Sequence, residues 1–396
     1  MIIPATVSGR PVTNRGVHLH PFGFHGVWVS DADYWVGLLQ SMHMSWCVAL
    51  SESDAFYTSG GARAMLDGGI IPVVRFNYKL PNHFNEMAAI EQLVNQYSQY
   101  NAPCIIQFCN EPFDAREWVR GRVPPDDEAW MIIADRWHEA EKIIIERGAI
   151  AGFPDGPSYG TNVFAIIGDP GYHWQDGRAI YLGHHYGKGR PLDYPRDDVS
   201  RYGTPLTMEE YRAALDDYAD DPAWNEGPYV LELMNQQRAE WANPDLTPVM
   251  DDTCWAGWER VRQYSQDYFG LVVQMALTEG GWVPRDRAGS NPQDIRWPYT
   301  TPKMVATKTL EMFQADSPLL FQCPWLLADE DMGGVGWPFD CWVGWAYTDK
   351  YGREKPVVQV LQDNPPGPSG AKGLVTLAHG FVSRAAVDLG QALAQL

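Results

Sequence analysis

Two glutamates carry the chemistry that this sequence offers. Cys104 to Pro112 reads CIIQFCNEP, a buried-strand pattern that breaks where the charged Glu111 meets a proline that cannot continue a ladder. Leu271 to Trp282 reads LVVQMALTEGGW, an apolar run closed by Glu279 and by two glycines that let the backbone turn beside the carboxylate. Each stretch places an acid at the C-terminal end of a strand. Two carboxylic acids flanking one bond suit glycosidic cleavage, in which one protonates the leaving oxygen and the other attacks the anomeric carbon or activates water.

Such acids meet only if the surrounding elements turn both strand ends to the same side. Short apolar runs are expected as strands at 17–29, 45–50, 70–76, 104–109, 149–153, 179–184, 271–279 and 319–323. Helical patterns fall between them, at 31–41, 60–66, 85–97, 126–147, 162–167, 207–218, 255–269, 302–314 and 355–362. Helices alternating with apolar strands indicate parallel βα units. The expected fold is a single (β/α)8 TIM barrel with decorated loops over 1–363, followed by the linker NPPGPSG and a short C-terminal tail, 364–396 together. In that barrel the strand C-termini share one mouth. The pattern loosens at 190–258, where Tyr229–Met234, YVLELM, is a rival seventh strand that would make Glu232 the second acid. Glu279 is preferred because Gly280-Gly281-Trp282 gives it an open turn, whereas Glu232 lies inside its apolar run.

NEP ending the fourth strand and TEGGW ending the seventh resemble the clan A glycoside hydrolases, the retaining β-glycosidases that include cellulases and mannanases. The resemblance implies Glu111 as acid/base and Glu279 as nucleophile, with Asn110 holding the 2-hydroxyl of the reacting sugar. It also brings in His185 and Tyr186 at the end of the sixth strand, where clan A enzymes often keep a group that hydrogen-bonds the nucleophile. Trp325, just past the last strand, corresponds to the aromatic floor of the sugar subsite. Arg75, at the end of the third strand, is a candidate ligand of Glu279 or of a substrate hydroxyl. His184 and His185 alternate across a strand, so one of them alone can face the mouth.

Composition narrows the classes of partner. The 396 residues suffice for a barrel of about 250 residues plus insertions. A net charge of −20 argues against nucleic acid and anionic membranes and favours a neutral oligo- or polysaccharide. Seventeen tryptophans suit sugar stacking, and Trp282, Trp325 and Trp337 sit in or beside strand-end loops. Six cysteines lack metal-ligand spacing, and no phosphate loop or GxSxG elbow occurs, so neither metal nor cofactor is expected. The N-terminus shows no signal-peptide pattern, which leaves a cytoplasmic protein or a secreted one with its signal removed. A β-glycan hydrolase working by retention is expected. A non-catalytic carbohydrate-binding barrel, or a transglycosylase on the same scaffold, is the alternative.

Overall fold

The computed structural model describes residues 3–19, 32–51, 60–154, 171–215, 227–282, 294–298, 300–325, 327, 347 and 354–366. Seven parallel strands form one sheet in strictly sequential order. They are β1 (Gly16–His18), β2 (Trp46–Ser51), β3 (Ile71–Phe76), β4 (Ile105–Gln107), β5 (Ile150–Pro154), β6 (Ala179–Tyr186) and β7 (Met275–Gly281). Nearly every position of β3, β6 and β7 is buried, as expected of strands covered on both faces. That is why these strands read as continuous apolar runs rather than as alternating ones.

The sheet curls until its edges almost meet. Between β7 and β1 runs the segment 319–325, which forms isolated bridges instead of a regular ladder: Gln322 pairs with both Arg15 and Leu277, and Trp325 with His18. Backbone bonds tie it to both edges, from Leu277 N to Phe321 O at 3.0 Å and from His18 N to Pro324 O at 2.9 Å. The eighth strand expected at 319–323 is therefore an irregular seam among the described residues. Gln322 adds a reason for the irregularity, because its side chain bonds Trp255 Nε1 and Met312 O within the core.

Helices cover the outside of the sheet: α1 (Ala32–Ser41), α2 (Gly61–Asp67), α3 (Met87–Ser98) and α4 (Asp126–Glu146) precede β5. Three acids, Asp126, Asp127 and Glu128, occupy the first turn of α4, where they complement the helix dipole. Between β6 and β7 lies an insertion in which α5 (Met208–Ala214) opens on a capping box of Thr207 and Glu210. It packs on α6 (Gly227–Glu240) through Tyr211, Leu215, Leu231 and Met234, a small core of its own. Tyr229–Met234 is thus helical, and Glu232 is exposed on that helix, which removes it as a rival acid. Its apolar neighbours have the spacing of a helix face rather than of a strand.

α7 (Trp258–Phe269) ends at Gly270, and α8 (Pro302–Gln314) starts from Thr301, whose side chain caps Met304 N. α9 (Pro356–Asp363) packs on α8, and the buried Arg15 bonds the Leu361 and Asn364 carbonyls, fastening the end of α9 to the start of β1. An antiparallel hairpin of Thr6–Val7 with Arg10–Pro11, absent from the sequence reading, precedes β1. Outside the described residues lie His20, His25 and Trp28, the helix expected at 162–167, the loop Gly333–Trp345 with Trp337, and the tail from 367 onward.

The seam tolerates no extra atom at its tightest point. A Cβ on Gly16 would stand 2.4 Å from Cys323 Sγ and 2.9 Å from Trp46 Cβ. Gly16→Ala is expected to destabilise the fold by about 1–3 kcal/mol through overpacking. Urea denaturation checks this, and a change below about 0.5 kcal/mol would show that the seam yields freely.

Candidate active site

Glu279 and its neighbours owe their alignment to an irregularity between β6 and β7. Gly183 pairs with Leu277, but the next residue, His184, pairs with Glu279, so Thr278 is skipped. The extra residue shifts β7 by one step and places Glu279 on the same sheet face as His184 and Tyr186. Glycine is required just beyond: a Cβ on Gly280, at φ 142°, would lie 2.2 Å from His185 O.

At the centre of the site is Arg75 of β3, which is 2% exposed. Its Nη1 donates to Glu279 Oε1 at 2.5 Å, and its Nη2 meets His184 Nε2 at 3.3 Å. A guanidinium has no acceptor, so His184 Nε2 must accept and the ring proton resides on Nδ1. That Nδ1–H donates to Glu111 Oε1 at 2.9 Å and lies 3.6 Å from Glu279 Oε2. Tyr186 donates its hydroxyl to Glu279 Oε2 at 2.5 Å. One arginine and one histidine thereby set the spacing of the two acids.

Glu279 is 5% exposed, and burial by itself would raise its pKa. His184, Arg75, His18 and the Tyr186 hydroxyl outweigh burial and bring it down to about 2. The carboxylate is accordingly ionised at ordinary pH. Burial and the Glu279 and Glu111 charges hold the Tyr186 hydroxyl protonated, which keeps it a donor. Glu111 is half-open at the mouth, with Arg116 Nη2 3.9 Å from its Oε2.

Several residues singled out in the sequence gather here, and others do not. Arg75, Glu111, Tyr186 and Glu279 form one hydrogen-bonded cluster. Trp325 stands beside it, its ring 4.3 Å from that of His18, whose Nε2 is 3.9 Å from Glu279 Oε1. Asn110 directs its Nδ2 to Glu117 Oε1 at 3.3 Å.

His185 is a correction. It points to the opposite face of β6, against Gly183 and under the turn Trp255–Gly257, where burial and the neighbouring His184 lower its pKa to about 3 and keep it neutral. His184 takes the place expected for it. Trp282 is buried beneath the loop after β6, its indole donating to Arg190 O at 2.8 Å and abutting Gly187, with Lys308 Nζ 5.9 Å from its ring centroid, so its described contacts are with that loop and α8. Trp337 lies outside the described residues. Sequence reasoning missed His18, for which the short alternation VHLH at a strand end was the available signal.

Glu111, His184 and Glu279 each bring one donor atom within 4.8 Å of the others, a spacing that a metal ion would accept. Arg75 already stands on the same carboxylate and the same ring, so a cation there would face a guanidinium.

No family model matches this chain, and no curated protein matches it. Solved structures similar to it include the GH39 enzyme of Xanthomonas axonopodis pv. citri, at 15% identity and a TM-score of 0.48 over 90% of this chain and 67% of that one. A monomeric β-xylosidase from Caulobacter crescentus is 13% identical with a TM-score of 0.48, over 91% and 70% of the two chains. An exo-β-1,4-mannosidase from an Opitutaceae bacterium is 11% identical with a TM-score of 0.47, over 92% and 61%.

Removing Arg75 strands a buried charge. Arg75→Met is expected to cost about 3–5 kcal/mol, and the added change Glu279→Gln to recover much of that loss. The pKa of Glu279 is lower folded than unfolded, so its contribution is complete above the unfolded value of ~4.3. It fades as pH falls toward about 2. Urea melts at pH 7 and pH 3 check both points: Glu279→Gln should lose less stability on acidification than the parent, and an equal loss would refute the linkage.

Proposed function

We propose that this chain hydrolyses a β-linked, neutral glycan by double displacement with retention, Glu279 acting as nucleophile and Glu111 as acid/base. One observation carries the reading: a carboxylate oxygen of Glu111 and one of Glu279 lie within 4.8 Å of each other. Retaining enzymes hold their carboxyl groups ~5–5.5 Å apart, whereas inverting enzymes leave ~6.5–9.5 Å for a water. We also infer that the seam 319–325 stands in for the eighth strand of a (β/α)8 barrel, which would put both acids at its mouth.

In the first step the ionised Glu279 attacks the anomeric carbon while the bond to the leaving oxygen breaks and Glu111 delivers its proton to that oxygen. His184 Nδ1–H is engaged with Glu111 Oε1, which leaves Oε2 as the oxygen that carries the proton. In the second step a water attacks the glycosyl-enzyme, Glu111 takes the water's proton, and Glu279 departs as the carboxylate. Arg75 and Tyr186 hold Glu279 in place through both steps and favour its anionic form as leaving group. Asn110 would bind the 2-hydroxyl and Trp325 would floor the subsite. A net charge of −20 supports a neutral substrate over a polyanionic one.

A panel of polysaccharides and 4-nitrophenyl β-glycosides tests the reading, with the product anomer followed by proton NMR. Glu111→Gln and Glu279→Gln are each expected to lower kcat on the order of 10³-fold or more while sugar binding persists. An inverted product would end the double-displacement mechanism. Sugar binding by the parent without any turnover would instead support a carbohydrate-binding barrel.

A further inference from the structure

The two oxygens of Glu111 face different groups. Oε1 takes the bond from His184 Nδ1, on the side where Glu279 lies. Oε2, the oxygen left to carry the proton, has Arg116 Nη2 3.9 Å away. Arg116 belongs to the turn Ala115–Glu117, which follows β4. Exposure rises in the same order: Glu279 is buried, the Glu111 side chain is 18% exposed and that of Arg116 47%. Oε2 and Arg116 therefore stand on the solvent side of the acids, the side from which a leaving group departs.

Arg116 is held in that place. Asp114 caps the turn by accepting from Arg116 N at 2.8 Å, and its Oδ2 accepts from Nε at 2.8 Å and from Nη2 at 2.5 Å. Lys79 Nζ donates to the Arg116 carbonyl oxygen and ties the turn to the loop after β3. An exposed ion pair of this kind adds little to stability. It does fix the direction of a planar fork of five N–H donors, which can serve Asp114 and a further acceptor at once. Glu111 is not that acceptor, because 3.9 Å is too long for a hydrogen bond.

We propose that Arg116 determines specificity for the leaving group: it donates a hydrogen bond to a hydroxyl or ring oxygen of the sugar whose glycosidic oxygen Glu111 protonates, so that the site favours a sugar leaving group over an alkyl or aryl one. This rests on the glycosidase reading above and adds the side of the bond that the reading left open. Proton transfer from Oε2 requires the leaving oxygen within about 2.6–3.2 Å. With Arg116 Nη2 3.9 Å from Oε2, the guanidinium lies at most roughly 7 Å from the leaving oxygen, a gap that a sugar ring and its hydroxyls span. A neutral hydroxyl suits the place better than a carboxylate, because Asp114, Glu111 and Glu117 already outnumber Arg116 and Lys79 there.

The test takes the glycone that the parent releases fastest from the 4-nitrophenyl panel and compares its β-1,4-linked disaccharide with its cyclohexyl β-glycoside. Both leaving groups are unactivated secondary alcohols that need Glu111 alike, and the disaccharide alone offers further hydroxyls. Arg116→Gln is expected to lower kcat/KM for the disaccharide about tenfold more than for the cyclohexyl glycoside. Asp114→Asn keeps a cap for the turn and removes the charge that steers the fork, so it should shift the selectivity in the same direction. The double variant should shift it little further than Arg116→Gln alone. Losses equal within twofold on the two substrates, or additive shifts in the double variant, would overturn the proposal and leave the glycosidase reading standing. So would a parent that cleaves aryl glycosides and no disaccharide. A parent that hydrolyses no glycoside at all would overturn both.

Discussion

The contact on which the site depends is the fork of Arg75. One nitrogen holds the Glu279 carboxylate and another holds the His184 ring, and through that ring the second acid, Glu111, is drawn in. Only a planar guanidinium can do this, because it presents donors in fixed directions and has no acceptor with which the histidine could bond the other way round. The charge of Arg75 answers a need as well as a geometry. A carboxylate taken so far from water would otherwise protonate.

The barrel sheet supplies the rigid frame for that fork. β3, β6 and β7 are buried along almost their whole length, so the residues at their ends have little freedom to drift. The step at Thr278 then settles which side chains share a face. Without it Glu279 would lie in register with His185, on the face of the sheet opposite His184. A single extra residue in one strand thus makes the cluster possible.

Polar burial on this scale works against stability. Arg75, His184, Glu279, Gln107 and Glu117 all lie within the sheet's mouth region or interior and are at most 8% exposed. Each must be hydrogen-bonded or remain a debit, and residues kept under those terms are the ones expected to act on a ligand. The apolar layers below them, with Trp46 stacked on Phe321 at 4.3 Å and Trp137 among Phe108, Phe153 and Trp174, provide the compensating stability.

Much of this was legible in one dimension. Continuous apolar runs announced the buried parallel strands, and breaks at NEP and TEGG announced the strand-end acids, because both features arise from local burial and local turn chemistry. The caps of α5 and α8 were equally local. What local pattern could not supply was parity. Alternation said that one of His184 and His185 faces the mouth, but which one shares a face with Glu279 depends on how β6 registers against a strand distant in the chain, and the step at Thr278 decides it. The same holds for YVLELM, whose short apolar run suits a strand or a helix until Tyr211 and Leu215 pack on it. The residues by themselves determined which groups sit at the ends of strands. Tertiary register alone decided which of those groups face one another, since hydrogen-bond pairing between distant strands leaves no trace in the order of either.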